Sequence, residues 1–213
     1  MSVWAIVVAA GTGTRFGGPK QLELLGEKRI IDISCAVAAS AVDGVVVVTS
    51  PALLESFQNS LSADVIVLGG SSRSESVRAG LAALPADVEV VVVHDAARPL
   101  ATANLFKAVI HAVSDGADAA IPGVSVSDTI KRTVSGVVVE TIDRSELVAV
   151  QTPQAFNASV LRRAHESGLD ATDDAALVEQ LGGKVVVVPG EIPNIKVTTQ
   201  DDMIVARAHW SAR

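Results

Sequence analysis

The sequence predicts an α/β fold with a mostly parallel sheet and helices on both of its faces. Short, continuously apolar runs of β-branched residues recur along the 213 residues. They do not alternate apolar with polar, the pattern of strands buried on both sides. Stripes of helical period lie between them, and this alternation of strand with helix implies right-handed crossovers.

Val3–Ala10 is the first such run, followed by Val45–Val48 and the weaker Val65–Leu68. Val77, Leu81 and Leu84 then repeat at i, i+4 and i+7, an amphipathic helix. Val90–Val93 is the next strand, and Leu105, Phe106, Val109, Ile110 and Val113 mark the next helix. Ala117–Ile121 is a weaker strand. Ser125–Val150 breaks the rhythm: it has no helical period and holds β-type residues around Ser135-Gly136, a hairpin turn. It is either a long surface hairpin or an arm that carries functional side chains to a second subunit. Val185–Val188 resumes the strands, and Asn194–Thr198 reads as a short strand with Lys196 inside it. Gln200–Trp210 closes the chain as a helix with Met203 and Ile204 inward. Without repeats, low-complexity tails or linkers, residues 1–213 are expected to form one domain, with 125–150 as an excursion.

Composition narrows the function. Hydrophobic residues make up 49% of the chain, yet no stretch approaches the roughly 18 apolar residues of a membrane span. The N-terminus lacks the basic region of a signal peptide. A single cysteine, Cys35, rules out an intrachain disulfide and suits a reducing cytoplasm. Seventeen basic against 24 acidic residues give a net charge of −7, which argues against nucleic acid as partner.

The cations that exist sit beside glycines. Gly11-Thr12-Gly13-Thr14-Arg15-Phe16-Gly17-Gly18-Pro19-Lys20 follows the first strand, so main-chain N–H groups can converge on an anion while Arg15 and Lys20 add full charges. This is the pattern of a polyphosphate site. Two common phosphate motifs fail on it. From Gly13 the Walker spacing reaches Gly18, but Pro19 follows and Lys20 is trailed by Gln21 in place of a hydroxyl, while the dinucleotide fingerprint would need glycine at Phe16 and an acid near Thr49-Ser50. The strand Val90–Val93 delivers His94-Asp95-Ala96-Ala97-Arg98-Pro99 at its carboxyl end, where open α/β sheets place ligands. Asp95 suits a divalent cation bridging phosphates, or serves as an N-cap or partner of Arg98. His94 points the other way and reads as packing. Gly69–Val77 opens a helix with a polar cluster in which Ser74, Val77 and Arg78 do not make a capping box. Its groups either read a base edge or cap the helix. Lys196 is either edge-strand gatekeeping or a substrate contact.

Taken in order, these motifs resemble the cytidylyltransferases that act on 2-C-methyl-D-erythritol 4-phosphate. Ala9-Ala10-Gly11, Gly13, Arg15, Pro19-Lys20-Gln21, Gly69-Gly70, Arg73, Ser76 and His94–Pro99 carry the likeness. So do Asp128-Thr129-Ile130-Lys131, Asp143-Arg144, Leu147, Thr152-Pro153-Gln154, Thr172-Asp173-Asp174 and Asn194–Thr198. The resemblance implies a Rossmann-like nucleotidyltransferase body and a homodimer joined through a protruding β-arm at 125–150. It implies transfer of CMP from CTP to the sugar-alcohol phosphate with release of pyrophosphate, a step of non-mevalonate isoprenoid precursor synthesis. Arg15, Lys20, Arg144 and Lys196 would be catalytic. Ala9, Ala10, Gly11, Gly13, Gly70, Arg73 and Ser76 would bind nucleotide. Asp95, Arg98, Thr129, Arg144 and Lys196 would bind the acceptor, and Asp95 would hold Mg²⁺. Ser71 stands where many members carry Asp, which shifts base selection to Ser76 and the backbone. Pro193 stands where Asp is common, removing a polar group near the acceptor hydroxyls. Ribitol 5-phosphate cytidylyltransferases, which share the glycine loop and most of the cations, and sugar-phosphate nucleotidyltransferases using another NTP are the neighbouring readings. A nucleotide-binding regulator would not need the full set of cations.

Overall fold

The valine-rich runs become strands of one eight-stranded sheet in the computed structural model, which describes residues 1–166 and 168–212. The central strands are β1 (Val3–Ala9), β4 (Gly44–Thr49), β5 (Val65–Leu68), β6 (Val90–Asp95), β7 (Ala119–Ser125) and β12 (Val185–Pro189). β10 (Val148–Val150) and β11 (Gln154–Asn157) complete the sheet. The order runs β7-β11-β6-β1-β4-β5, with β10 and β12 also paired to β7. β1 lies parallel to β4 and β6, and β4 to β5. β11 runs antiparallel between β6 and β7, and β10 antiparallel beside β7, so the sheet is mostly parallel with one reversed strand inside it and another at its edge.

Successive strand residues point to opposite faces, and both faces are apolar. Val3, Ala5, Val7, Val45, Val47 and Val92 pack with helices α1 (Ile30–Ala39), α2 (Pro51–Ser60) and α4 (Ala103–Ser114). Ile6, Val46, Val48, Val91 and Val93 pack on the other side with α3 (Arg73–Ala82), α5 (Ala158–Glu166) and α6 (Asp174–Gln180). α1, α2, α5 and α6 have no counterpart among the stripes read from the sequence. In α1, IIDISCAVAA is apolar almost all round because the helix is largely enclosed, so it shows no stripe. α7 (Gln200–Ser211) is the expected terminal helix, but only half of its inward pair is right: Met203 is buried, whereas Ile204 is 64% exposed. Met203 instead joins Phe16, Leu25, Ile30, Leu100 and Val197 in a third apolar cluster. A small ribbon, β2 (Leu24–Leu25) with β3 (Lys28–Arg29), frames that cluster.

Between β7 and β10 the chain leaves the main sheet, whereas Ser125 and Val148–Val150, at the ends of the 125–150 excursion, remain paired within it. β8 (Ile130–Val134) and β9 (Val137–Ile142) form a separate two-stranded antiparallel hairpin, turning at Ser135 (φ 48°) and Gly136 (φ 81°). Both φ values lie in the left-handed region that a two-residue hairpin turn requires. Almost every side chain of the hairpin is exposed. Asn194–Thr198 is not a strand but irregular chain. No described helix is long and apolar enough to cross a membrane.

Candidate active site

The chain passes from β1 to β4 and β5 on one side, then returns to β6 on the other. The carboxyl ends of β1 and β6 therefore flank a topological switch, where a crevice opens. It is a cleft of about 330 Å³, lined by the glycine loop, Arg15, Lys20, Gly70–Arg73, Ser76, Asp95–Ala97, Lys196 and Thr198.

The glycine loop is built inward on one carbonyl. Gly13 O accepts from the N–H groups of Phe16, Gly17 and Gly18 at 2.9, 3.0 and 3.3 Å. Gly13 has φ +69°, and a Cβ there would meet Gly18 O at 1.9 Å, so only glycine serves. Phe16, the residue that breaks the dinucleotide fingerprint, anchors the loop in the third apolar cluster. The backbone N–H groups of Thr12 to Arg15 find no hydrogen-bond partner among the described residues. Lys20 is half-buried; burial first, then neighbouring Lys196 and Arg15, push its ammonium pKa down, partly opposed by Asp95. Cations that repel one another in this way favour an incoming anion.

Asp95, at the end of β6, is the only acidic side chain lining the cleft among the described residues. Its Oδ2 meets Lys196 Nζ at 2.7 Å, and Arg73 Nε lies 3.7 Å from Oδ1. Burial alone would raise this carboxyl, but Lys196, Arg73 and Arg98 outweigh it and hold the pKa at about 2. Lys196 is placed by its neighbour: Val197 is buried, and its N–H bonds to Ala97 O at 2.8 Å. Its gatekeeping reading thus fails together with the strand. Among the described residues no three His, Cys, Asp or Glu side chains cluster to hold a metal.

Arg73 is the first residue of α3, and its Nη1 donates to Asp174 at 2.7 Å. Asp174 is fully buried and also meets His165 Nε2 at 3.0 Å. The helix is capped by a box two residues earlier than the one tested in the sequence. Ser72 accepts from Glu75 N at 3.1 Å, and the Glu75 carboxylate accepts in return from Ser72 N at 3.3 Å. The S-x-x-E signal at Ser72–Glu75 was legible. The same carboxylate takes the N–H and hydroxyl of Ser71, both at 2.6 Å. Ser76 donates its hydroxyl to Ser72 O at 2.9 Å.

Of the residues expected in the site, Ala10, Gly11, Gly13, Arg15, Lys20, Gly70, Arg73, Ser76, Asp95 and Lys196 share this one cleft. Ala9 is buried directly behind it as the last residue of β1. Arg98 sits at the rear: Nη1 donates to Asn194 O at 2.8 Å and Nη2 to Val150 O at 3.3 Å, with Nε 4.0 Å from Asp95. Thr129 and Arg144 are exposed at the base of the hairpin and do not line the cleft, and Arg144 donates to Ser127 O. The sequence reading gave no role to Gln21 or to the Asp174–His165 pair.

A model of the IspD family, described as 2-C-methyl-D-erythritol 4-phosphate cytidylyltransferase, matches residues 3–211. The chain is 44% identical over 229 residues to the enzyme of that name from Streptomyces avermitilis, across 98% of this chain and 92% of that one. It is 45% identical to the Rhodococcus jostii enzyme of the same name, across 97% and 94%. The crystal structure of 4-diphosphocytidyl-2C-methyl-D-erythritol synthase from Anaerococcus prevotii aligns with a TM-score of 0.87 at 30% identity, covering 99% and 98% of the two chains. The chain belongs to the 2-C-methyl-D-erythritol 4-phosphate cytidylyltransferase family, a family of nucleotidyltransferases.

Proposed function

We propose that the cleft binds CTP on the glycine loop and transfers its CMP unit to 2-C-methyl-D-erythritol 4-phosphate, releasing pyrophosphate. One observation carries this: Arg15, Lys20 and Lys196 gather around Asp95 and the glycine loop in a single cleft of about 330 Å³. The acceptor phosphate is already an anion at neutral pH and needs no general base. The obstacle is bringing it against a triphosphate. Lys20, Arg15 and Lys196 lower that repulsion and stabilise the charge that develops in line at the α-phosphorus. Lys196, held beside Asp95, meets the acceptor phosphate, and Arg98 braces Asp95 from behind.

Base selection falls on α3. The Ser71 hydroxyl is committed to Glu75, and the Ser76 hydroxyl proton to Ser72 O. Ser76 Oγ can therefore only accept from a ligand. That suits the exocyclic amino group of cytosine and not the carbonyl of uracil, while Gly70 offers backbone. Ala9, Ala10, Gly11 and Gly13 leave room for close approach of the nucleotide.

Asp95 is a single carboxylate, a donor set that fits Mg²⁺ taking most of its ligands from phosphate and water. When bound, the ion supplies charge neutralisation between the two phosphate groups. The protein acts as a homodimer in which Thr129 and Arg144 of one hairpin complete the acceptor site of the partner. Two observations support this: both residues lie outside their own subunit's cleft, and Val134, Val137, Val138 and Val139 are each more than half exposed on a hairpin too small to be stable alone.

The test is pyrophosphate release across CTP, UTP, GTP and ATP, crossed with 2-C-methyl-D-erythritol 4-phosphate and ribitol 5-phosphate. CTP with the methylerythritol phosphate is expected to give the highest kcat/KM. Equal or better turnover with ribitol 5-phosphate would remove the acceptor assignment.

A further inference from the structure

Gln21 follows Lys20 in a single 3-10 turn and is 2% exposed. Its amide nitrogen donates to Ala9 O at 2.7 Å and to Gly11 O at 2.6 Å. Two carbonyl neighbours fix which end of the amide is nitrogen, because only the NH₂ group can donate to both. Oε1 is buried with no hydrogen-bond partner among the described residues. The side chain thus straps the end of β1 and the start of the glycine loop to the segment that carries Lys20.

This strap has a consequence for the loop's donors. In a planar trans peptide the C=O and the following N–H point in opposite directions. With Gly11 O drawn to Gln21, the Thr12 N–H faces away from it. The same holds one peptide later: Gly13 O is occupied by three N–H groups, so the Thr14 N–H faces away from that turn. Thr12 and Thr14 both line the cleft, and neither N–H has a partner among the described residues. Inside the turn, the carbonyl of Gly13 does the orienting. At its entrance, where no backbone donor reaches Gly11 O, Gln21 does it.

We propose that Gln21 is a positioning residue that fixes the Gly11–Thr12 peptide at the entrance of the glycine loop so that the free Thr12 N–H meets the β- and γ-phosphates of the nucleotide. The proposal rests on the nucleotide reading above. Because it concerns the terminal phosphates and not the base, it separates ligands that carry them from ligands that do not.

The experiment compares CTP and CMP binding by calorimetry for wild type, Gln21→Met and Gln21→Lys. Methionine keeps the volume and removes both donors, whereas the lysine ammonium can still donate to both carbonyls. Gln21→Met is expected to weaken CTP about tenfold, the loss of one charge-assisted hydrogen bond, and to leave CMP within about twofold. Gln21→Lys is expected to stay within about threefold of wild type for CTP, and decides the matter if the methionine variant does not fold. Equal weakening of CTP and CMP by Gln21→Met, or an unchanged CTP affinity, would overturn the proposal, as would a selective tenfold loss of CTP in Gln21→Lys. Wild-type protein that binds neither ligand would instead overturn the nucleotide reading.

Discussion

His94 should give the protein a specific weakness to acid. The ring is fully buried, 5.1 Å from Phe106 between centroids, and its Nδ1 lies 3.2 Å from Thr152 Oγ1. That hydroxyl also accepts from Asp95 N at 3.0 Å, which ties the ring to the end of β6. Burial, chiefly, pushes the pKa of His94 down to about 4 from 6.5, with Arg98 adding to the effect and Asp95 opposing it. The unfolded chain therefore takes up a proton at higher pH than the folded one. The contribution to stability is present above about pH 6.5 and is lost as pH falls toward 4. At 1.36 kcal/mol per unit, the loss is about 3 kcal/mol. With an unfolding entropy of about 2.1 cal/mol/K per residue, it corresponds to a fall in Tm of roughly 7 °C. Asp95, held at about 2, titrates mostly below this window. The assay is thermal unfolding by circular dichroism from pH 7.5 to 4 on wild type and His94→Asn, whose amide can still hydrogen-bond to Thr152. The variant starts less stable but should lose about 7 °C less across the window. Parallel curves would refute the reasoning.

Three further outcomes are expected. Lys20→Ala and Arg15→Ala should lower kcat by about two to three orders of magnitude with the fold intact, because preorganised charge acts on the transition state; steady-state kinetics showing only a raised KM for CTP would mean that they bind ground-state phosphate. Asp174→Asn leaves Arg73 and His165 without their buried carboxylate and should cost about 3–5 kcal/mol in urea unfolding, whereas a loss under 1 kcal/mol would show that the pair is not structural. Arg144→Ala and Lys20→Ala proteins, each inactive, should recover about a quarter of wild-type activity when their subunits are mixed, since half the dimers are hybrids with one intact site; verified exchange without recovery would place Arg144 in its own subunit's site.

The parallel body was legible in the sequence because its strands are buried on both faces, and continuous valine runs signal that directly. The glycine loop and Asp95 were legible because chemistry sits at strand ends. α1 was not, since enclosure erased its polar face. β11 was not, because Gln154–Asn157 carries two polar residues and four residues give little period to read. Lys196 was legible as a cation but misplaced, because the residues that fix it, Val197 against the third cluster and Ala97 beyond β6, are distant in sequence. Arg73 was expected to bind nucleotide. Its hydrogen bond to Asp174 joins the first residues of α3 and α6, two helices that both pack on α5, and no local pattern encodes that meeting.

In the proposed reaction the acceptor phosphate attacks CTP directly among the cations of the cleft, with no covalent intermediate on the protein. The most direct measurement follows the configuration at the α-phosphorus, using CTP carrying a single sulfur there and the purified wild-type protein with 2-C-methyl-D-erythritol 4-phosphate. One in-line displacement inverts that centre, so the product should show complete inversion. Retention would mean two displacements through an enzyme-bound nucleotide and would contradict the account.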